Sequence, residues 1–273
     1  MFHDQGKMSL NMLARFRIAL FLGLVTPFTL VLIPVQWLAV KADLRFARYL
    51  PVFYHRVVCA LLRLKVTVKG DPALGRPLLL LSNHSSWLDI VALSSVMPVS
   101  FIAKSEVGTW PIFGLFARLQ RSVFVDRSRR MATRDAHQAV SKRLKKGDAM
   151  VLFAEGTTSD GHRVLSFRSS LVGAAGELLG GVQSRIQPVA ITYTRRTGLP
   201  IARSERPCIA WYGDMELVPH FKGILLGGPI EVTISFCDPL TGEVARDRKS
   251  ATRAAEQAIR SRAADVMRGR VAA

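Results

Sequence analysis

Hydrophobic and polar positions divide the chain into two regimes. Ile18 to Val40, IALFLGLVTPFTLVLIPVQWLAV, is uncharged, with Arg15 and Arg17 before it and Lys41 and Arg45 after it. That length suits a bilayer-spanning helix. Pro27 and Pro34 predict a kink, or a helix-turn-helix that dips into one leaflet, and basic flanks on both sides leave the positive-inside rule without a side to choose. The run is long for a signal peptide and no small-residue cleavage site follows it. Next, Pro51 to Leu64 sets Val52, Phe53, Val57, Ala60, Leu61 and Leu64 at near-helical spacing, with His55, Arg56 and Arg63 between them. Such a helix can lie on an anionic membrane or pack on a core.

From Leu64 onward, short branched runs alternate with amphipathic segments. The pattern predicts strands at Lys65 to Val68, Leu78 to Ser82, Val99 to Ala103, Val123 to Asp126, Met150 to Phe153, Gln187 to Thr192 and Ile230 to Phe236. It predicts helices at Leu88 to Ser95, Pro111 to Leu119, Arg134 to Lys146, Ser170 to Leu179 and Lys249 to Met267. The alternation argues for an α/β fold, a mixed sheet with helical crossovers, preceded by an N-terminal membrane-associated helical segment. The expected division is a membrane-seating part at 1–64 and an α/β domain at 65–273. No internal repeat or low-complexity linker is present.

Charge sharpens the picture. Among 273 residues, 49% are hydrophobic, and 38 basic against 20 acidic residues give a net charge of +18. An apolar and strongly basic chain suits an anionic membrane better than nucleic acid, for which no zinc-finger spacing or basic-aromatic alternation speaks. Cys59, Cys208 and Cys237 are widely separated and odd in number, so they read as buried free thiols in a reducing compartment. No H-E-x-x-H cluster or comparable metal-ligand spacing occurs, and neither a metal nor another cofactor is expected.

Candidate chemistry centres on Arg76 to Leu93, RPLLLLSNHSSWLDIVAL. It reads as a buried strand, a tight polar loop and a helix start. His84 then sits at the carboxyl end of a strand, and Asp89 falls five residues later in the first helical turn. An imidazole can take a proton from a hydroxyl, while a carboxylate on its other nitrogen fixes the tautomer and stabilises the imidazolium. The alternative is a capping aspartate beside a loop histidine. No G-x-S-x-G elbow supplies a nucleophile, which leaves a substrate hydroxyl for that part. Two further stretches stand out: Ser122 to Arg127, SVFVDR, a strand closing on Asp126-Arg127, and Met150 to Asp160, MVLFAEGTTSD, a strand running into a glycine and hydroxyl turn that can approach an anionic group or be a simple tight turn.

In this order, N-H-x4-D from Asn83 to Asp89, V-F-V-D-R from Val123 to Arg127, F-x-E-G-T from Phe153 to Thr157, and Pro188-Val189 resemble the four sequence blocks of the glycerolipid (1-acyl-glycerol-3-phosphate) acyltransferase family. The resemblance covers about residues 76 to 192, and the N-terminal apolar run also looks like that family's anchor. It implies an O-acyltransferase: His84, oriented by Asp89, deprotonates a lysolipid hydroxyl that attacks the thioester of acyl-carrier protein or acyl-CoA, with no acyl-enzyme. It further implies that Arg127, Glu155, Gly156, Thr157 and Thr158 hold the acceptor, with Lys104 attracting its head group. The implied location is the inner (cytoplasmic) membrane, with the site facing the cytoplasm.

Three departures qualify the resemblance. Ala154 stands where the family usually has proline, Arg121 where it has glycine, and Thr158 where it has an arginine thought to bind the acceptor's phosphate. A threonine cannot reproduce a guanidinium's paired charge-assisted hydrogen bonds. Either Arg163 or Arg168 takes that part, or the acceptor lacks a phosphate. The run F-A-E-G-T-T-S-D-G looks like the branch that acylates lyso-ornithine lipid, which becomes the expected acceptor ahead of lysophosphatidate. A non-enzymatic basic module on the membrane surface is the remaining alternative.

Overall fold

The computed structural model describes residues 2–73, 77–125, 148–178 and 185–270. Helix α1 spans Phe2–Lys41 and α2 spans Leu50–Leu62. There follow β1 (Leu64–Lys69), β2 (Leu78–Ser82), α3 (Leu88–Val96), β3 (Val99–Lys104), α4 (Pro111–Leu119), β4 (Val123–Val125), β5 (Ala149–Phe153) and α5 (Ser169–Leu178). The chain continues through β6 (Arg185–Arg196), β7 (Leu199–Pro200), α6 (Leu217–Leu226), β8 (Ile230–Phe236) and α7 (Arg248–Met267). The expected helix at 134–146 lies outside the described residues.

Among the described residues, the strands form one sheet in the order β1-β8-β6-β2-β5-β3-β4, with β7 on β6. β6 and β8 run antiparallel, while β2 pairs in parallel with both β5 and β6, and β3 with both β5 and β4. The expected mixed sheet with crossovers is thus the one found. Leu78 to Leu81 are wholly buried, because β2 is central and covered on both faces. Their two-residue period divides the core: Leu78 and Leu80 join Leu88, Val91 and Ala92 of α3, while Leu79 and Leu81 join Ala251, Ala255 and Ile259 of α7.

That topology explains how distant blocks meet. β2, β5, β3 and β4 are neighbours and all parallel, so the segments after them emerge on one edge of the sheet. β6 delivers its own carboxyl end to that edge beside β2. Asn83 fastens the first of these loops: its Oδ1 accepts from the Ile191 amide at 2.8 Å and its Nδ2 donates to the Ile191 carbonyl at 2.9 Å. The side chain thereby continues the β2–β6 ladder beyond the last strand residue.

Two alternatives left open for the N-terminal part are narrowed. Pro27 and Pro34 neither break α1 nor turn it back; it is one helix of 40 residues. Packing against the α/β body holds the helix on both sides of the prolines. Phe21 meets Phe221 edge-on at 5.4 Å, Thr29 Oγ1 lies 3.0 Å from the Tyr54 hydroxyl, and Gln36 Nε2 donates to the carbonyls of Ala47 and Leu119. The other face of α1 leaves Leu30, Val31 and Leu38 exposed. Ala14–Lys41 is long and apolar enough to cross a membrane. For α2 the core alternative prevails at Val52, Val58, Cys59 and Leu62, all buried. Cys59 and Cys237 are buried free thiols as expected, but Cys208 is exposed because it lies on the short surface turn Arg206–Ile209.

Candidate active site

The loop after β2 brings His84 and Asp89 together. His84 Nδ1 lies 2.8 Å from Asp89 Oδ2. An ionised carboxylate only accepts, so this contact puts the proton on Nδ1 and leaves Nε2 as the free basic nitrogen. Asp89 is completely buried, whereas the His84 side chain keeps 17% exposure. The aspartate also organises the turn, since its Oδ2 accepts from the amides of Ser85 at 2.7 Å and Ser86 at 2.9 Å at the head of α3. A capping role and an orienting role therefore coexist in one carboxylate.

The remaining oxygen, Asp89 Oδ1, accepts from the Tyr193 hydroxyl at 2.7 Å. Burial, and then the neighbouring Asp89 charge, raise the Tyr193 phenol well above its ordinary value, so it stays a neutral donor. Tyr193 was absent from the sequence expectations. Its place near the end of β6, on the same sheet edge, is the signal that was available. The imidazole itself is held flat against Phe153, with ring centroids 3.8 Å apart and planes 9° apart.

The glycine and hydroxyl turn after β5 grips the His84 backbone from both sides. Glu155 Oε1 accepts the His84 amide at 3.0 Å, and the Ser159 amide donates to the His84 carbonyl at 2.8 Å. Glu155 is buried, and that desolvation pushes its carboxyl up to about 8 against the pull of the His84 and Leu165 amides. Gly156 takes φ +74°, and a Cβ there would come within 2.9 Å of Leu171. Thr157 is exposed and Thr158 half-buried. Lys104 ends β3 at the sheet edge, where its exposed ammonium pairs with Glu106 at 2.7 Å. Arg127 lies outside the described residues. Arg163 and Arg168 are both exposed.

Arg121 shows why a glycine suits its position. Its backbone is left-handed, φ +61°, which glycine adopts at little cost. Here the half-buried arginine is held by an ion pair to the buried Asp148, Nη1 lying 3.0 Å from Oδ2. Ala154, in place of proline, has an amide to donate, and it does so to the Ser82 carbonyl at 3.1 Å. Among the described residues, no cluster of three or more His, Cys, Asp or Glu side chains forms a metal site.

An imidazole with one nitrogen fixed by a buried carboxylate and the other free can move a proton to and from a hydroxyl. The sequence profile of the Acyltransferase family matches residues 64–192, the span that carries this arrangement. A lyso-ornithine lipid O-acyltransferase of Brucella abortus is 47% identical over 95% of this chain and 98% of its own. The chain belongs to the acyltransferase family. A second lyso-ornithine lipid O-acyltransferase, from Rhizobium meliloti, is 46% identical over 93% of this chain and 88% of its own. The crystal structure of the 1-acyl-sn-glycerophosphate acyltransferase from Thermotoga maritima superposes with a TM-score of 0.63 at 19% identity, over 93% of this chain and 97% of that one. This acyltransferase thus shares that enzyme's fold.

Proposed function

We propose that the chain transfers a fatty acyl group from acyl-carrier protein or acyl-CoA to the free hydroxyl of lyso-ornithine lipid, giving ornithine lipid. The observation that carries the chemistry is the His84–Asp89 pair, whose geometry leaves one basic nitrogen facing a substrate. His84 Nε2 removes the hydroxyl proton as the oxygen attacks the thioester carbonyl. Collapse of the tetrahedral intermediate breaks the C–S bond, and the proton on Nε2 passes to the departing thiolate. Asp89 stabilises the imidazolium in between, and Tyr193 and the two loop amides hold Asp89. Glu155 and Ser159 act by fixing the His84 backbone. Gly156, Thr157, Thr158, Lys104 and Arg127 are proposed to line the acceptor's path.

The acceptor rests on two supports: the relatives named for lyso-ornithine lipid, and Thr158 in place of a phosphate-clamping arginine. We assign residues 1–64 the task of seating the enzyme on the inner (cytoplasmic) membrane, with the site facing the cytoplasm where anionic acyl donors reside. The exposed apolar face of α1 and the net charge of +18 support this. Lysophosphatidate is the competing acceptor. A side-by-side assay of detergent-held enzyme with radiolabelled acyl-carrier protein, offering each lysolipid separately, tests the choice. Preference for lyso-ornithine lipid is expected; preference for lysophosphatidate would overturn that acceptor.

A further inference from the structure

A cavity of about 750 Å³ lies beside the loop after β2, between β6, the segment after Ser159, the turn at Arg206–Ile209 and the last turns of α7. It reaches Asn83 and Ser85, the residues on either side of His84. Its walls bring together four guanidiniums, from Arg163, Arg206, Arg260 and Arg268, and include no aspartate or glutamate. Arg260 alone of the four has an ion pair among the described residues, with Glu256 at 2.9 Å. Arg206 Nε and His162 Nδ1 are buried without a hydrogen-bond partner. Between them, Val164, Ile201 and Met267 add apolar wall, and Ser159, Thr192 and Tyr193 add polar wall.

Guanidiniums do not lose their charge, so this cavity cannot relieve its like-charge repulsion by releasing protons. An anion would offset that repulsion, and the buried Arg206 Nε–H, a donor without a partner, is best satisfied by an acceptor oxygen. A purely structural arginine cluster would instead carry its own carboxylates in the wall. We propose that this cavity is an oxyanion subsite that holds the carboxylate or phosphate of a substrate beside the catalytic loop. Resting on the acyl-transfer reading above, it gives two sources for one chemistry: the carboxylate of the ornithine head group, or a phosphate on the carrier arm of the acyl donor. Contact with Asn83 and Ser85 lets a bound anion fix the substrate relative to His84.

The test is steady-state kinetics of the full-length enzyme and of Arg163→Gln, Arg206→Gln and an outside control, Arg253→Gln. Each substrate is varied in turn, and melting temperature is recorded for every variant. A rise of tenfold or more in KM for at least one substrate, with kcat within about threefold and the control unchanged, is the expected result. A rise in acceptor KM identifies the head-group carboxylate; a rise in donor KM identifies the phosphate. Arg163 is exposed, so its variant keeps the test open if Arg206→Gln does not fold. Unchanged KM for both substrates, or a fall in kcat alone, would overturn the subsite. Failure of the acceptor reading shows separately, as absence of turnover of lyso-ornithine lipid by the unaltered enzyme.

Discussion

At the scale of single residues, the pairing of His84 with Asp89 was legible and its supports were not. His84 and Asp89 are five positions apart, and one tight turn onto a helix suffices to join them. Tyr193 reaches Asp89 from 104 positions away, so only the parallel pairing of β2 with β6 reveals it. Tyr193→Phe removes one hydrogen bond to a charged group, about 1.5–3 kcal/mol. If that loss falls on the transition state, kcat drops roughly tenfold to a hundredfold with KM little changed; steady-state kinetics and a pH–rate profile check it. Glu155 gives a second prediction. Its carboxyl holds its proton to about 8 when folded against an ordinary 4.5, so the folded state binds more protons across that window. Stability from this group is therefore present at low pH and lost as pH rises from about 4.5 to about 8. Glu155→Gln should flatten that decline in melting curves taken across the window, and an unaltered slope would contradict the assignment.

At the scale of elements, buried strands were read most reliably. Leu78–Ser82 and Ile230–Phe236 fall where the apolar runs place them, because such runs are short and bounded by turn residues. The hairpin of β6 with β7 and helix α6 escaped, since neither shows a clean period. Of the two courses that the prolines of α1 suggested, the turn-back is excluded for a physical reason: tertiary packing through Phe21, Thr29 and Gln36 outweighs the local backbone cost. The side chain of Asn83 is an element-scale device, standing in for a strand residue on Ile191. Asn83→Ala should cost about 2–4 kcal/mol, two net hydrogen bonds plus backbone groups left unpaired. Denaturant unfolding checks this, and a cost below about 1 kcal/mol would contradict the ladder extension.

At the scale of the whole molecule, a basic α/β body carries an apolar helix whose free side is unsuited to water. The 28 residues of Ala14–Lys41 make a helix about 42 Å long, more than the roughly 30 Å hydrocarbon core. That helix is consistent with the membrane association that composition led one to expect. Binding to anionic vesicles should weaken as salt rises from about 0.1 M to about 1 M, where the screening length falls from ~10 Å to ~3 Å. The binding that persists at high salt should be lost when Leu30, Val31 and Leu38 are all replaced by asparagine; co-sedimentation reads both effects. Transfer of an acyl group to a lysolipid hydroxyl through His84 underlies these expectations. It is tested most directly by acylation of lyso-ornithine lipid by the unaltered enzyme and by His84→Ala at matched melting temperature. A loss of about 10²-fold or more, with vesicle binding intact, is predicted; undiminished turnover in the variant would contradict it.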